Sequence, residues 1–446
     1  MNKQLIIPKN IITANPKDEI LTNSAVEIID GMISKISRVG DFHLTDYGDQ
    51  IFRFPSFTLI PGFVQTHVHL CQTLFRGLAD DLELLDWLQQ RIFPYENAHD
   101  KNSLRASARL GIHELHLCGT TTFVDMGTIH HQKVIFDELI NSKSRAFAGK
   151  CLIDENDLYP NFKEPKEESL KTAYELASSF HNAINGKIKY AFAPRFVLSC
   201  SERLMRESYE MMKEFSGSVY ETHSSENKGE IEAVRKKYSK ENVEYFNSIG
   251  VLGKSTILAH CIHLNDEERN ILKSTDTRVA HCPSANLKLG SGIANIPNYL
   301  KDGISVSLGA DGAPCNNNMS IFTEMRHAAL IQKPIHGSTA MDAKTVFKLA
   351  TIDGAKALHL QNEIGSIEVG KKADLVLLDL ERANQPLLDE KENVYSAIVY
   401  SNSRENVKEV MIEGEWVVSG GSSILYDEQK IYDDGKTELK KLLQRI

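Results

Sequence analysis

Nowhere in its 446 residues does the chain reach the roughly 20 consecutive apolar residues that a membrane-spanning helix needs. The opening MNKQLIIPKN lacks a signal-peptide layout. Cysteine is sparse: seven residues, irregularly spaced, none in a CxxC pair. That argues against a cysteine-built zinc site and predicts free thiols in a reducing compartment, the cytoplasm. Positive charge is also short, with 51 Lys and Arg against 60 Asp and Glu, a net charge of -9. Nucleic acid and anionic membranes are therefore not expected as partners. There is no P-loop and no GxGxxG. The HxE and PCxxC pair of cytidine-type deaminases is also missing. His113-Glu114-Leu115-His116 only approaches HExxH, because its histidines stand three apart. It lies on a predicted helix and reads as helix surface or packing.

What remains is an ordinary globular composition, 41% hydrophobic and 25% charged, without low-complexity segments or repeats. The two ends differ from the middle. AVEIIDGMISKIS reads as a hairpin turning at Asp30-Gly31, and VKEVMIEGEWVVSG as another turning at Glu413-Gly414. KADLVLLDL reads as a buried strand. Each end is too short for its own core, so residues 1–57 and 367–446 are expected to form one small β-sandwich domain. Residues 58–366 alternate strands with amphipathic stretches such as SLRASARLGIHELHLCG. Eight strand candidates suggest an α/β fold, a (β/α)8 TIM-like barrel.

In such a barrel, sites form where strands end and βα loops begin. Strand one ends in His67 and His69, and strand five in His223 followed by Ser-Ser-Glu226. Strand six ends in His260, strand seven carries His281 and strand eight ends in Asp311. Residues two apart on a strand face the same side, so His67 and His69 can reach one ion. An HxH pair alone is a weak signal, and an Asp after Gly309-Ala310 could be a helix cap. The reading rests on many such groups at one end of successive strands. Three imidazoles and a carboxylate suit zinc, with iron an alternative. A metal with an open position supplies hydroxide near neutral pH.

PGFVQTHVH, ETHSSE, ILAHCIHL, AHCPSANLKLGSG, SLGADGAPCNNN and EVGKKADLVLLDL together resemble the amidohydrolase superfamily, in its mononuclear aminohydrolase branch. The resemblance spans nearly the whole chain. It implies that His67, His69, His223 and Asp311 hold one metal. Asp311 would also take a proton from the water, and Glu226 would relay a proton to a ring nitrogen. His260 would steady the hydroxide or the tetrahedral centre. The reaction implied is hydrolytic deamination of a small ring, releasing ammonia. Two-metal relatives carry a lysine at the end of strand four; here that strand ends APRF, so one metal per chain is expected. The resemblance also implies a homo-oligomer, a dimer or larger.

Two subgroups compete for the substrate. HLCQ, RAFAGKCLIDEND and PRFVLSCSERLM resemble guanine deaminases, placing Gln72, Arg195 and Phe196 where that group grips a purine. LFRGLADDLELLDWLQQRIFPYE and GADGAPCNNNMSIFTEMR resemble deaminases of 5'-modified adenosines. That second group has His at the position of Arg195, and guanine deaminases lack the Asn316-Asn317 stretch. Trp87 and Glu96 fit both as substrate-binding residues. Arg145 reaches the pocket or merely pairs at a strand start. Phe196 could stack on the ring or be core, and Arg195 could be a buried ion pair. Guanine or a related oxopurine or pterin ranks first, a 5'-modified adenosine second and an s-triazine third. A scaffold that kept the fold and lost the chemistry is the rival class, but every ligand position is filled.

Overall fold

The structure, a computed structural model, describes residues 2–381 and 391–446. Two sheets organise it. In the first, strands from both chain ends form one nine-stranded mixed sheet. The N-terminal strand Lys3–Ile12 runs parallel to Ile51–Pro61, which pairs antiparallel with the C-terminal strand Leu375–Leu378. Both expected hairpins form. Asp30 and Gly31 have φ of 49° and 82°, and Glu413 and Gly414 have 48° and 79°. Two successive positive φ values are what a twist-matched two-residue turn requires.

The second sheet is parallel and curls into the barrel. Its eight strands begin at Phe63–His69, Thr120–Asp125, Arg145–Ala148, Ile188–Pro194, Val219–Ser224, Thr256–His260, Arg278–His281 and Val306–Leu308. The third strand resumes at Cys151–Leu152 and the eighth at Asp311–Gly312. That last piece pairs with strand one, Asp311 beside Val68 and Gly312 beside His69, and closes the sheet. The closure is tight: a Cβ on Gly309 would lie 2.6 Å from the His67 carbonyl oxygen, so only glycine fits. The barrel's lower interior is filled by Val64, Val124, Phe147, Ala191, Val219, Ile257 and Ala280.

Two boundaries differ from expectation. Residues 58–61 belong to the end sheet, not the barrel, because Ile51–Pro61 runs on to Pro61 before the chain turns inward. Gly62 makes that turn against Thr121, whose Oγ1 would lie 2.1 Å from an added Cβ. At the other end, the 367–446 stretch is not all sheet. Its helix Glu428–Leu443 packs on the barrel helix Lys101–Leu117, with Gly435 against Leu110. Arg445 Nε donates to the Ala98 carbonyl at 2.7 Å. Residues 382–390 of that stretch lie outside the described residues. Among the described residues no helix is long and apolar enough to cross a membrane.

Candidate active site

Strand register brings the sequence-predicted groups together. His223 lies opposite Ala259, and Ser224 opposite His260, on strands five and six. Closure of strand eight onto strand one delivers Asp311 beside the two histidines of strand one. The resulting centre is buried. His67 Nε2 and His69 Nε2 lie 3.4 and 3.2 Å from Asp311 Oδ1, and His69 Nε2 is 3.3 Å from His223 Nε2. His67, His223, His260 and Asp311 each present an atom within 4.8 Å of one another. His69, though outside that foursome, is as close to Asp311 as His67 is, so five groups share the centre. His281 is buried on strand seven and does not join them.

Tautomers follow from the outer bonds. His67 Nδ1 donates to Glu221 Oε1 at 2.6 Å, and His223 Nδ1 to the Arg195 carbonyl at 2.7 Å. His260 Nδ1 donates to Asn286 Oδ1 at 2.8 Å. Each Nε2 is thereby left as a lone pair facing inward. His67 Nε2 and His260 Nε2 are buried without a hydrogen-bond partner. Lone pairs of neutral imidazoles facing each other at 3.3 Å repel unless a proton or cation lies between them. Burial pulls His69 and His223 down, leaving both neutral. Burial would also lower His67, but Glu221 and Asp311 outweigh it and lift it to about 10. The carboxylates around the centre thus favour a positive charge there, which a divalent ion would supply. Inward nitrogen lone pairs, a carboxylate and outer partners fixing the rings fit a single divalent metal.

Beyond the ligand set lies a small pocket. Leu84, Trp87, Leu88 and Phe196 form its apolar walls, and Gln72, Arg195, Glu226 and Glu230 its polar ones. Glu226 sits 3.5 Å from His260 Nε2. Burial, then repulsion from Asp311 and Glu230, holds its carboxyl well above the usual range. Asp311 is the opposite: burial would raise it, but His67 and His69 beside it hold it well below. Trp87 Nε1 is buried without an acceptor.

Two predicted contacts fall elsewhere. Glu96 is fully buried behind the pocket wall. It accepts Arg195 Nη1 and Nη2 at 2.7 and 3.1 Å, and Gln72 Nε2 at 2.7 Å. It therefore grips the pocket residues rather than the space between them. Arg145 stands at the start of strand three, the end of the barrel away from the site. There it pairs with Asp374 at 2.9 Å and Glu413 at 3.6 Å, joining the barrel to the end sheet. The strand-start alternative is the one observed. His113 and His116 are helix packing, His116 Nε2 bonding Ser144 Oγ at 2.8 Å.

Sequence reasoning missed Glu221 and Asn286. Glu221 had a signal: it stands two before His223 on one strand, so it faces the same side. Asn286 had none, because its reach to His260 depends on how the helix Pro283–Lys288 docks.

A parallel eight-stranded barrel with a histidine-rich, carboxylate-completed centre at its strand ends is the architecture of a metal-dependent hydrolase. The chain belongs to the amidohydrolase family, whose family model matches residues 58–417. Within it the chain falls in the mononuclear aminohydrolase branch, and it is a hydrolase of carbon–nitrogen bonds. A 5-methylthioadenosine/S-adenosylhomocysteine deaminase of Bacillus cytotoxicus is 34% identical over 432 residues, 96% of this chain and 97% of its own. An adenosine deaminase of Xanthomonas campestris, solved with bound zinc, superposes with a TM-score of 0.90 at 27% identity, covering 99% of this chain and 98% of that one. The guanine deaminase of E. coli superposes with a TM-score of 0.83 at 26% identity, covering 93% and 99%.

Proposed function

We propose that this protein is a metal-dependent hydrolytic deaminase of an amino-substituted purine-like ring, with guanine or a related oxopurine or pterin as substrate. His67, His69, His223 and Asp311 would hold one ion, zinc by the donor set. When bound, the ion acts as a Lewis acid and acidifies a water. The chain's own residues do the rest. Asp311 is ionised and so free to take the proton of the attacking water. His260 presents a lone pair at Nε2, because its Nδ1–H is committed to Asn286, and so orients that water. Glu226 keeps its proton in the buried pocket and delivers it to a ring nitrogen, turning the amino-bearing carbon electrophilic. Asp311 then passes the proton it took to the amino group, which leaves as ammonia, and the new hydroxyl returns a proton to Glu226 as it becomes a carbonyl.

The reading of the ring rests on the Gln72 and Arg195 edge. Both donate to the same oxygen, Glu96 Oε1, so they lie side by side. With Nε2 spent on Glu96, Gln72 keeps Oε1 buried and unpartnered, packed against Gly312. Glu96 engages two of the five N–H groups of Arg195, leaving others. A guanidinium donor in the pocket wall suits the ring carbonyl of an oxopurine. Phe196 and Trp87 supply flat apolar faces for the ring.

A second reading, a 5'-modified adenosine, is supported by what the Bacillus cytotoxicus relative is named for. Ammonia release from zinc-loaded protein separates the two, with guanine, 8-oxoguanine and isoxanthopterin against 5'-deoxyadenosine, methylthioadenosine and S-adenosylhomocysteine. Turnover confined to the nucleosides would reverse the ranking, and silence on all six would remove the deaminase reading.

A further inference from the structure

Asp311 owes its place to a strained backbone. Its φ is 61°, left-handed for a residue that is not glycine, and His260 on the neighbouring wall has φ 71°. Such conformations cost of order 1–3 kcal/mol each and persist only where surroundings over-determine them. The hydrogen bonds show what does so here. The peptide before Asp311 is held from both sides: Ala310 N–H donates to Gln65 Oε1 at 3.0 Å, and Asn316 Nδ2 donates to the Ala310 carbonyl at 2.8 Å. Asn316 Nδ2 also donates to Glu324 Oε1 at 2.7 Å. Glu324 is fully buried on the helix Ile321–Leu330.

The same carboxylate accepts from Ser284 twice, from N–H at 3.1 Å and from Oγ at 2.6 Å. Ser284 Oγ in turn accepts from His327 Nδ1 at 2.8 Å. Donors and acceptors alternate without conflict from His327 through Ser284 and Glu324 to Asn316 and the Ala310 carbonyl. Two residues beyond Ser284, on the helix Pro283–Lys288, Asn286 holds His260. The network meets the strained peptide at Asp311, and the helix that carries Ser284 also carries the Asn286 that bonds His260.

We propose that Glu324, with Asn316 and Ser284, is a positioning strut that presets the Asp311 carboxylate for metal binding and catalysis without touching substrate. The proposal rests on the metal reading given under Proposed function. The reason is pre-organisation: a ligand held in a costly conformation before the ion arrives loses little freedom when it binds. If the network served only packing, its loss would lower stability and leave the centre alone.

The test uses Glu324→Gln and Asn316→Ala in the full chain, with Ser284→Ala as the milder third variant. Zinc-loaded proteins are challenged with a chelator and metal loss is timed. Unfolding temperature is measured with and without metal, and kcat and KM are taken on the best substrate. Expected for the first two variants are metal loss about 10- to 100-fold faster, a clear fall in kcat with KM nearly constant, and unfolding temperatures that fall further with metal than without. Ser284→Ala should fall between. Metal loss and kcat within twofold of wild type in both strong variants would overturn the strut. So would equal falls in unfolding temperature with and without metal, the pattern of packing alone. Wild-type protein that binds no zinc would instead sink the metal reading.

Discussion

Arg195→Met tests the polar wall of the pocket most severely, because it separates the ion pair from the substrate contact. Arg195 is 3% exposed and Glu96 fully buried, and they share two bonds at 2.7 and 3.1 Å. Removing the guanidinium leaves the Glu96 carboxylate buried with Gln72 Nε2 as its remaining donor. An orphaned buried charge of this kind costs about 3–5 kcal/mol. Adding Glu96→Gln to Arg195→Met removes the stranded charge, so the double variant should recover most of that loss. Glu96→Gln alone strands the arginine and should also destabilise. Urea unfolding of the four metal-free proteins closes the cycle and gives the coupling directly. Catalysis is read separately: losing a charged donor to a ring carbonyl should cost about 1.5–3 kcal/mol in kcat/KM for an oxopurine, about 10- to 150-fold. The double variant should not recover that part, since it regains stability and not the donor. The reasoning is refuted if Arg195→Met is as stable as wild type, or if the double variant restores oxopurine turnover along with stability.

Glu226→Gln should abolish turnover while metal analysis still finds one ion per chain; retained activity would make the proton relay wrong. Arg145→Ala strands Asp374, 2% exposed at its side chain, and should destabilise by about 3–5 kcal/mol. Its KM should be unchanged, and a shifted KM would return Arg145 to the pocket. His116 gives a pH test remote from the metal centre. Burial, with His113 nearby, pulls it from 6.5 down to about 3. Between those values the unfolded chain takes a proton that the folded one refuses, so stability present above pH 6.5 is lost as pH falls toward 3. The contribution is at most about 1.4 kcal/mol per pH unit. His116→Gln should flatten unfolding free energy against pH in that window, and an unchanged slope would show that His116 is not the group responsible.

The barrel was legible because alternation and spacing are written locally. Each strand reads as an apolar run, and strands one, five, six, seven and eight carry a conspicuous group at or near their ends. His67 and His69 announce their common side by being two apart, and Glu221 and His223 do the same. The end sheet was legible as hairpins, since Asp30-Gly31 and Glu413-Gly414 state their own turn geometry. Its extent was not. Nothing local says that Thr58 through Pro61 pair with Leu375–Leu378 instead of opening the barrel. Nothing in the last helix says that its partner is the barrel helix Lys101–Leu117. Those choices are made by packing between segments hundreds of residues apart.

The same limit explains the two misplaced contacts. An acidic or basic residue near a pocket reads identically in sequence whether it faces the ligand or a neighbour. Glu96 turns away because Arg195 and Gln72 together satisfy it. Arg145 is drawn to Asp374 and Glu413 across the joint between the two sheets. Arg195 is both things at once, ion pair and pocket wall, a combination that weighing one role against the other could not reach. The consequence is physical: Glu96 fixes where Gln72 Nε2 and the Arg195 guanidinium sit, so the polar wall of the pocket is set by a carboxylate behind it.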